Sequence, residues 1–207
     1  MFGRPLFPLR MKTIAIDLDD TLNNFTATLH GRTFVRDESH ALTEEVFQDY
    51  LARLRGHAPD EGTLLSTEFT FFRYKIHQEV YARARARADG VAFLQALRRD
   101  GWRIVICTQR DLRRAQDATR QWLRENDIPF DYLFMAGNKI VFCRAWGIDL
   151  LVDNDAFNIE HGERYGVKVY YPAEAQPTRP VRTDHDIYLY APRAFTSFAE
   201  IMPWIAK

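Results

Sequence analysis

The apolar positions of this chain fall into short runs separated by longer amphipathic stretches. Ile14, Ala15 and Ile16 predict a first strand over about 13–17. Four later runs have the length of buried strands: WRIVICT (102–108), DYLFMA (131–136), IDLLVD (148–153) and VKVYYP (167–172). Between them the period changes from strand to helix. DGVAFLQALRRDG aligns Val91, Leu94 and Leu97 on one face, with Asp89 as the expected N-cap and Gly101 as the stop. DLRRAQDATRQWLREND begins at Asp111 and ends before Pro129, and NKIVFCRAWG runs from Asn138 to Gly147. Strand and helix alternate from about 89 to 172, which predicts an α/β fold, a Rossmann-like parallel sheet flanked by helices. DIYLYA (186–191) is a further strand candidate, and Ser197 and Glu200 are spaced as a capping box before a last helix.

The rhythm breaks between Leu22 and Asp89, a stretch with no convincing central strand. TEEVFQDYLARLRG (43–56) gathers Val46, Phe47, Tyr50, Leu51 and Leu54 on one helical face. EFTFFRYKIHQEVYARARARA (68–88) is aromatic first and basic later. The expected organisation is a core from 1–22 and 89–207, with 23–88 as a small helical cap inserted after the first strand. The ARARARA run has two readings, a nucleic-acid contact or a solvated helix with its small residues inward, and the second is preferred.

Composition narrows the function classes. The 207 residues carry 28 basic and 28 acidic side chains, so no bulk charge draws the chain to a nucleic acid polymer or an acidic membrane. No apolar run approaches membrane-spanning length. Residues 1–10 read as an extension ahead of a second candidate start at Met11, without a signal-peptide layout. Cys107 and Cys143 sit beside apolar residues and read as reduced core thiols of a cytoplasmic protein. Oligomeric state leaves no mark in the sequence.

The chemistry gathers where the first apolar run stops, at Asp17, Asp19 and Asp20. Ligands of open parallel sheets bind beyond the carboxyl ends of the strands. Like charges repel, so paired acids at such a mouth imply a cation; Mg²⁺ prefers hard oxygen ligands and leaves room for a phosphate. One carboxylate can then act as nucleophile and another as proton donor and acceptor. The alternative is a polar turn with an N-cap.

The run Asp17-Leu18-Asp19-Asp20-Thr21-Leu22 resembles the first signature of the haloacid dehalogenase-like superfamily, DxDxT after an apolar strand. The other signatures follow in order: Thr108 ends the next core strand (IVICTQR), Lys139 starts a helix (AGNKIV), and Asp153 and Asp155 lie in LLVDNDAFNI. The resemblance covers roughly 11–172 and implies a Mg²⁺-dependent phosphomonoesterase. Asp17 would be the nucleophile, Asp19 the general acid and base, and Thr108 and Lys139 the groups holding the phosphoryl oxygens. Gln109 and Arg110 join the implied substrate site, and Asp17, Asp19, Asp153 and Asn154 the implied metal shell. Relatives place a second Asp where Asn154 stands, which leaves the contact to Asp153, Asn154 or Asp155. Within the superfamily the chain looks like the 5'(3')-deoxyribonucleotidase branch and its bacterial relatives. That likeness implies a small phosphorylated partner, a nucleoside monophosphate or else a sugar phosphate or other metabolite. In the cap, Phe69, Phe71, Phe72 and Tyr74 have two roles open, stacking on a base (Phe71 and Phe72 above all) or packing the cap. A third reading keeps the fold as a binding or regulatory protein without turnover.

Overall fold

A computed structural model of the chain describes residues 11–30, 79–175 and 193–205. Six parallel strands form one sheet in the order β3-β2-β1-β4-β5-β6. They are β1 (Thr13–Ile16), β2 (Arg103–Thr108), β3 (Tyr132–Met135), β4 (Leu150–Val152), β5 (Lys168–Pro172) and β6 (Ala194–Phe195). The helices are α1 (Phe25–His30), α2 (Ala88–Arg99), α3 (Leu112–Glu125), α4 (Lys139–Trp146), α5 (Ala156–His161) and α6 (Met202–Ile205). This is the parallel α/β architecture expected from the alternating pattern. The strand candidate 186–191, the helix candidate 43–56 and the aromatic residues 69–74, Phe71 and Phe72 included, lie outside the described residues.

Strand alternation sorts the core into two layers. Ile14, Ile16, Ile104, Ile106 and Val152 face one side, where Leu94 and Leu97 of α2, Trp122 and Leu123 of α3 and the C-terminal Phe198 and Ile201 cover them. Ala15, Val105, Cys107, Leu151 and Val169 face the other, against Ile140, Phe142 and Cys143 of α4 and Ile159 of α5. Both cysteines are buried and free, and burial pushes both thiols well above their ordinary range.

Two local expectations change. Asp89 does not cap α2: the helix begins at Ala88, and the N-cap residue, Arg87, makes no side-chain cap bond. Asp89 instead turns its carboxylate to the C-terminal segment and accepts from Phe198 N–H at 3.0 Å. Ser197 and Glu200 do form the expected capping box there. The ARARARA run is not one helix. Residues 79–83 are helical, but 84–87 are not, and Ala86 bridges antiparallel to Asn23. Ala84 is buried and Arg85 exposed. Trp122 Nε1–H donates to the Ala84 carbonyl at 2.7 Å, and Asn24 Oδ1 accepts from Arg85 N–H at 2.7 Å, which fastens the returning chain to the core. The described ends of the insertion, α1 and residues 79–83, are both helical, in keeping with a helical cap after β1.

β1 lies at the centre of the sheet, with β2 and β3 to one side and β4, β5 and β6 to the other. The neighbours β1 and β4 lead on to strands on opposite sides, β2 and β5, and this divergence opens a crevice at the strand ends.

Candidate active site

Each chemical group is placed by the end of a strand or the start of a helix. Asp17 directly follows β1, and its N–H donates to Val152 O at 2.9 Å, continuing the sheet by one bond. Leu18 and Leu22, both fully buried, pin the loop beyond it, and the N–H groups of Leu22 and Asn23 donate to the Leu18 carbonyl. Asp20 takes a left-handed backbone, φ 58°, that few residues tolerate without a local bond. Its carboxylate accepts from the Thr26 N–H at 2.8 Å and from the Thr26 hydroxyl, within the first turn of α1. Asp20 is therefore the structural acid of the three.

Asp17 and Asp153, at the ends of β1 and β4, share one cation. Lys139 Nζ lies 2.8 Å from Asp17 Oδ1 and 2.9 Å from Asp153 Oδ2. All three residues are buried. Lys139 is the first residue of α4, whose N-cap Asn138 accepts from Val141 N–H. Burial lifts the Asp17 carboxyl to about 7; the Lys139 ammonium opposes the shift, and Asp153 and Asp19 add to it. Burial also raises Asp153, against the pull of Lys139. The ammonium is itself disfavoured by burial, but its two carboxylates more than compensate and hold it above the ordinary lysine range. Asp153 is saturated by local donors: Oδ1 accepts from Asp155 N–H at 2.9 Å and Oδ2 from Asn158 Nδ2 at 3.0 Å.

Asp19 has a separate partner. Its Oδ1 lies 2.5 Å from Arg110 Nη2 and its Oδ2 2.9 Å from Arg110 Nε, a two-point fork. Asn23 Nδ2 adds a third bond to Oδ1 at 3.1 Å. Thr108, which ends β2 and is buried, accepts weakly from Arg110 N–H at 3.4 Å. Gln109 is exposed and donates to Gly137 O at 3.3 Å.

Asn154 completes the mouth. One terminal atom of its amide lies 3.1 Å from Thr21 Oγ1, 3.1 Å from the Asp19 carbonyl oxygen and 3.2 Å from Asp17 Oδ2. With these neighbours the amide nitrogen belongs there, because the carbonyl and the carboxylate can only accept. Turned over, the same amide presents its oxygen beside two others. Oxygens around a six-coordinate Mg²⁺ at about 2.1 Å and right angles lie about 3 Å apart, and the two spacings from the Asn154 amide match that. Among the described residues no three acidic, histidine or cysteine side chains converge on a metal-sized point. Of the four residues expected to form the metal shell, Asp17 and Asn154 meet through side chains and Asp19 joins them through its backbone carbonyl. The carboxylates of Asp153 and Asp19 are turned to Lys139 and Arg110.

A cavity of about 250 Å³ opens over these groups, lined by Asp17, Asp19, Thr108, Arg110 and Lys139, with Phe25 and Tyr81 as the aromatic part of its wall. The two ring centroids are 5.5 Å apart. The sequence reading did not single out Phe25, Tyr81, Asn23 or Asn158. Asn23 follows the buried Leu22 four positions after Asp19, and Asn158 stands three positions after the α5 cap Asp155. Those spacings are the only signals they leave.

No protein-family model and no curated protein sequence matches the chain. Solved structures do. It is similar to YfnB from Bacillus subtilis, described bound to magnesium, with a TM-score of 0.60 and 14% identity over 96% of this chain and 100% of that one. A HAD family hydrolase from Deinococcus radiodurans R1, with bound phosphate and sodium, gives 0.55 and 15% over 95% of each chain. An L-2-haloacid dehalogenase gives 0.53 and 15% over 94% and 99%. The chain has the haloacid dehalogenase-like fold, and that fold by itself is shared by phosphate-binding and dehalogenating proteins.

Proposed function

We propose that the protein is a Mg²⁺-dependent phosphomonoester hydrolase working through an aspartyl-phosphate on Asp17, with residues 23–88 as its cap. The observation that carries this is the convergence of Asp17 Oδ2, the Asp19 carbonyl oxygen and the Asn154 amide, while Lys139 holds the other oxygen of Asp17. Asp17, Asn154 and the Asp19 carbonyl would hold the ion. Bound there, Mg²⁺ supplies positive charge to a phosphoryl group and keeps Asp17 ionised.

Asp17 Oδ1 attacks phosphorus, forming an O–P bond as the bond to the leaving oxygen breaks. Asp19 gives its proton to that oxygen, and the alcohol departs. Asp19 then takes a proton from water, whose oxygen attacks the same phosphorus and releases Asp17 and phosphate. The Lys139 ammonium and the Thr108 hydroxyl offset the charge of the transferring group. An acid at position 19 suits an ester whose leaving oxygen needs a proton, which a halide does not.

For the leaving group, the aromatic wall of Phe25 and Tyr81 favours a planar one, and a nucleoside monophosphate is the preferred substrate over a sugar phosphate. A folded protein with little turnover is the second reading. Its support is Asn154, which brings no charge to the ion. Release of phosphate from p-nitrophenyl phosphate and from nucleoside and sugar monophosphates, with Mg²⁺ and with chelator, tests all of these. Turnover that chelator leaves intact counts against the metal, and silence on every ester against hydrolysis.

A further inference from the structure

The side chain of Arg110 is fully buried, whereas the Asp19 carboxylate it grips keeps 23% of its surface. The acid faces the cavity and the arginine stands behind it. Each nitrogen of the guanidinium donates to protein: Nε and Nη2 to Asp19, and Nη1 to Thr119 Oγ1, 3.2 Å away on α3. The Tyr81 ring lies 3.9 Å from the guanidinium carbon and Trp122 5.9 Å from it, so aromatic surface covers the cation. Arg110 borders the cavity, but its side chain has no exposed surface to offer a substrate phosphate.

Burying this cation is costly unless its pairing is complete. What the fork provides is orientation: two parallel bonds fix a carboxylate both in position and in the plane of the guanidinium, which a lysine cannot do. Asn23 Nδ2 also donates to one Asp19 oxygen. The carboxylate is thus set before substrate arrives, and α3 and the segment returning from the insertion do the setting. Lys139 contrasts with this, since its two partners lie at the strand ends themselves.

We infer that Arg110 is a positioning residue for Asp19, acting through that carboxylate and not on the substrate, with Thr119 and Tyr81 fixing the guanidinium. This rests on the hydrolase reading above, and it replaces the substrate contact that the sequence assigns to Arg110.

The test compares the wild type with Arg110→Lys and Thr119→Val over a leaving-group series, from p-nitrophenyl phosphate through phenyl phosphate to glycerol 2-phosphate, with orthophosphate inhibition measured in parallel. Proton donation is worth about 10²–10⁴-fold, chiefly for poor leaving groups. Arg110→Lys keeps the charge and loses the fork. Its kcat is expected to fall about 100-fold on glycerol 2-phosphate and less than about tenfold on p-nitrophenyl phosphate, with orthophosphate inhibition unchanged within about twofold. Thr119→Val, remote from the cavity, serves if Arg110→Lys does not fold; a weaker loss with the same leaving-group dependence is expected, and Thr119→Ser should restore it. Equal losses across the series, or orthophosphate binding weakened tenfold or more with kcat spared, would overturn the role while leaving the hydrolase intact. A wild type silent on the whole series would overturn the hydrolase reading and this role with it.

Discussion

Lys139 Nζ and Asp17 Oδ1 meet at 2.8 Å, both buried, and Asp153 shares the same ammonium. Two acids thus share one base at the mouth of the sheet, and with both ionised one negative charge is in excess. Removing the base leaves two buried carboxylates without a counter-ion. Lys139→Met is expected to lose about 3–5 kcal/mol of stability at neutral pH, the usual scale for breaking a buried pair. The loss should shrink in acid, where the carboxyls accept protons instead. Urea unfolding at pH 7.5 and pH 5 checks this; a deficit of equal size at both would place the stabilising role of Lys139 elsewhere.

Asp17→Asn should abolish turnover and change the pH profile of stability. A carboxyl raised from 3.8 to about 7 binds a proton in the folded state that the unfolded chain has released. Its contribution is present below the ordinary carboxylate range and is lost as pH rises to about 7. In chelator, the melting temperature of the wild type should therefore fall across that window, and Asp17→Asn should fall less. Parallel profiles for the two proteins would remove Asp17 as the source.

The same proton competes with the metal. Mg²⁺ binding should weaken as pH drops below about 7 and should release a proton, visible in calorimetry as a heat that depends on the ionisation enthalpy of the buffer. A heat independent of buffer would speak against Asp17 as a ligand.

Asn154→Asp changes a neutral ligand into a charged one beside Asp17. Mg²⁺ should bind about tenfold tighter or more, because a second carboxylate attracts a divalent ion strongly in this poorly solvated mouth. The protein should be less stable in chelator, since the amide that donates to Asp17 becomes a repelling acid. Direct titration of Mg²⁺ and thermal melts with and without the ion measure both. Unchanged Mg²⁺ affinity, with a large defect in Asp155→Ala, would move the ion to Asp155.

Phe25→Ala removes one ring of the aromatic wall without touching the acids. Base stacking is worth about 1–3 kcal/mol, so turnover of nucleoside monophosphates should drop about 5- to 150-fold in kcat/KM. Glycerol 2-phosphate should be nearly indifferent. A melting temperature lowered with selectivity intact would make Phe25 a packing residue.

What could be read in advance follows from how local each signal is. The strands and the core face of α2 are periodic in sequence, and Asp17, Thr108 and Lys139 stand at element ends where a pattern changes. Asp89 misled because a cap and a first-turn acid look alike until Phe198 arrives from more than a hundred residues away. The ARARARA run misled because Ala and Arg are good helix formers, whereas Trp122 and Asn24 fasten that backbone to the core. The partners of Asp19 were beyond reach for a related reason. An arginine two places after a strand end looks like any other until Thr119, Tyr81 and Trp122 enclose it.

The bridge between Asn23 and Ala86, with Asn24 gripping Arg85, gives the two crossings of the insertion a fixed separation. Chain added or removed between those crossings alters loop entropy only slowly, by roughly (3/2)RT ln n, and puts no tension on β1. Length and composition can drift between positions 30 and 79, while Thr26 keeps hold of Asp20 and Tyr81 of Arg110 at the two ends. On the hydrolase reading, that middle stretch is where a lineage can change its clientele of esters without relearning how to cut them.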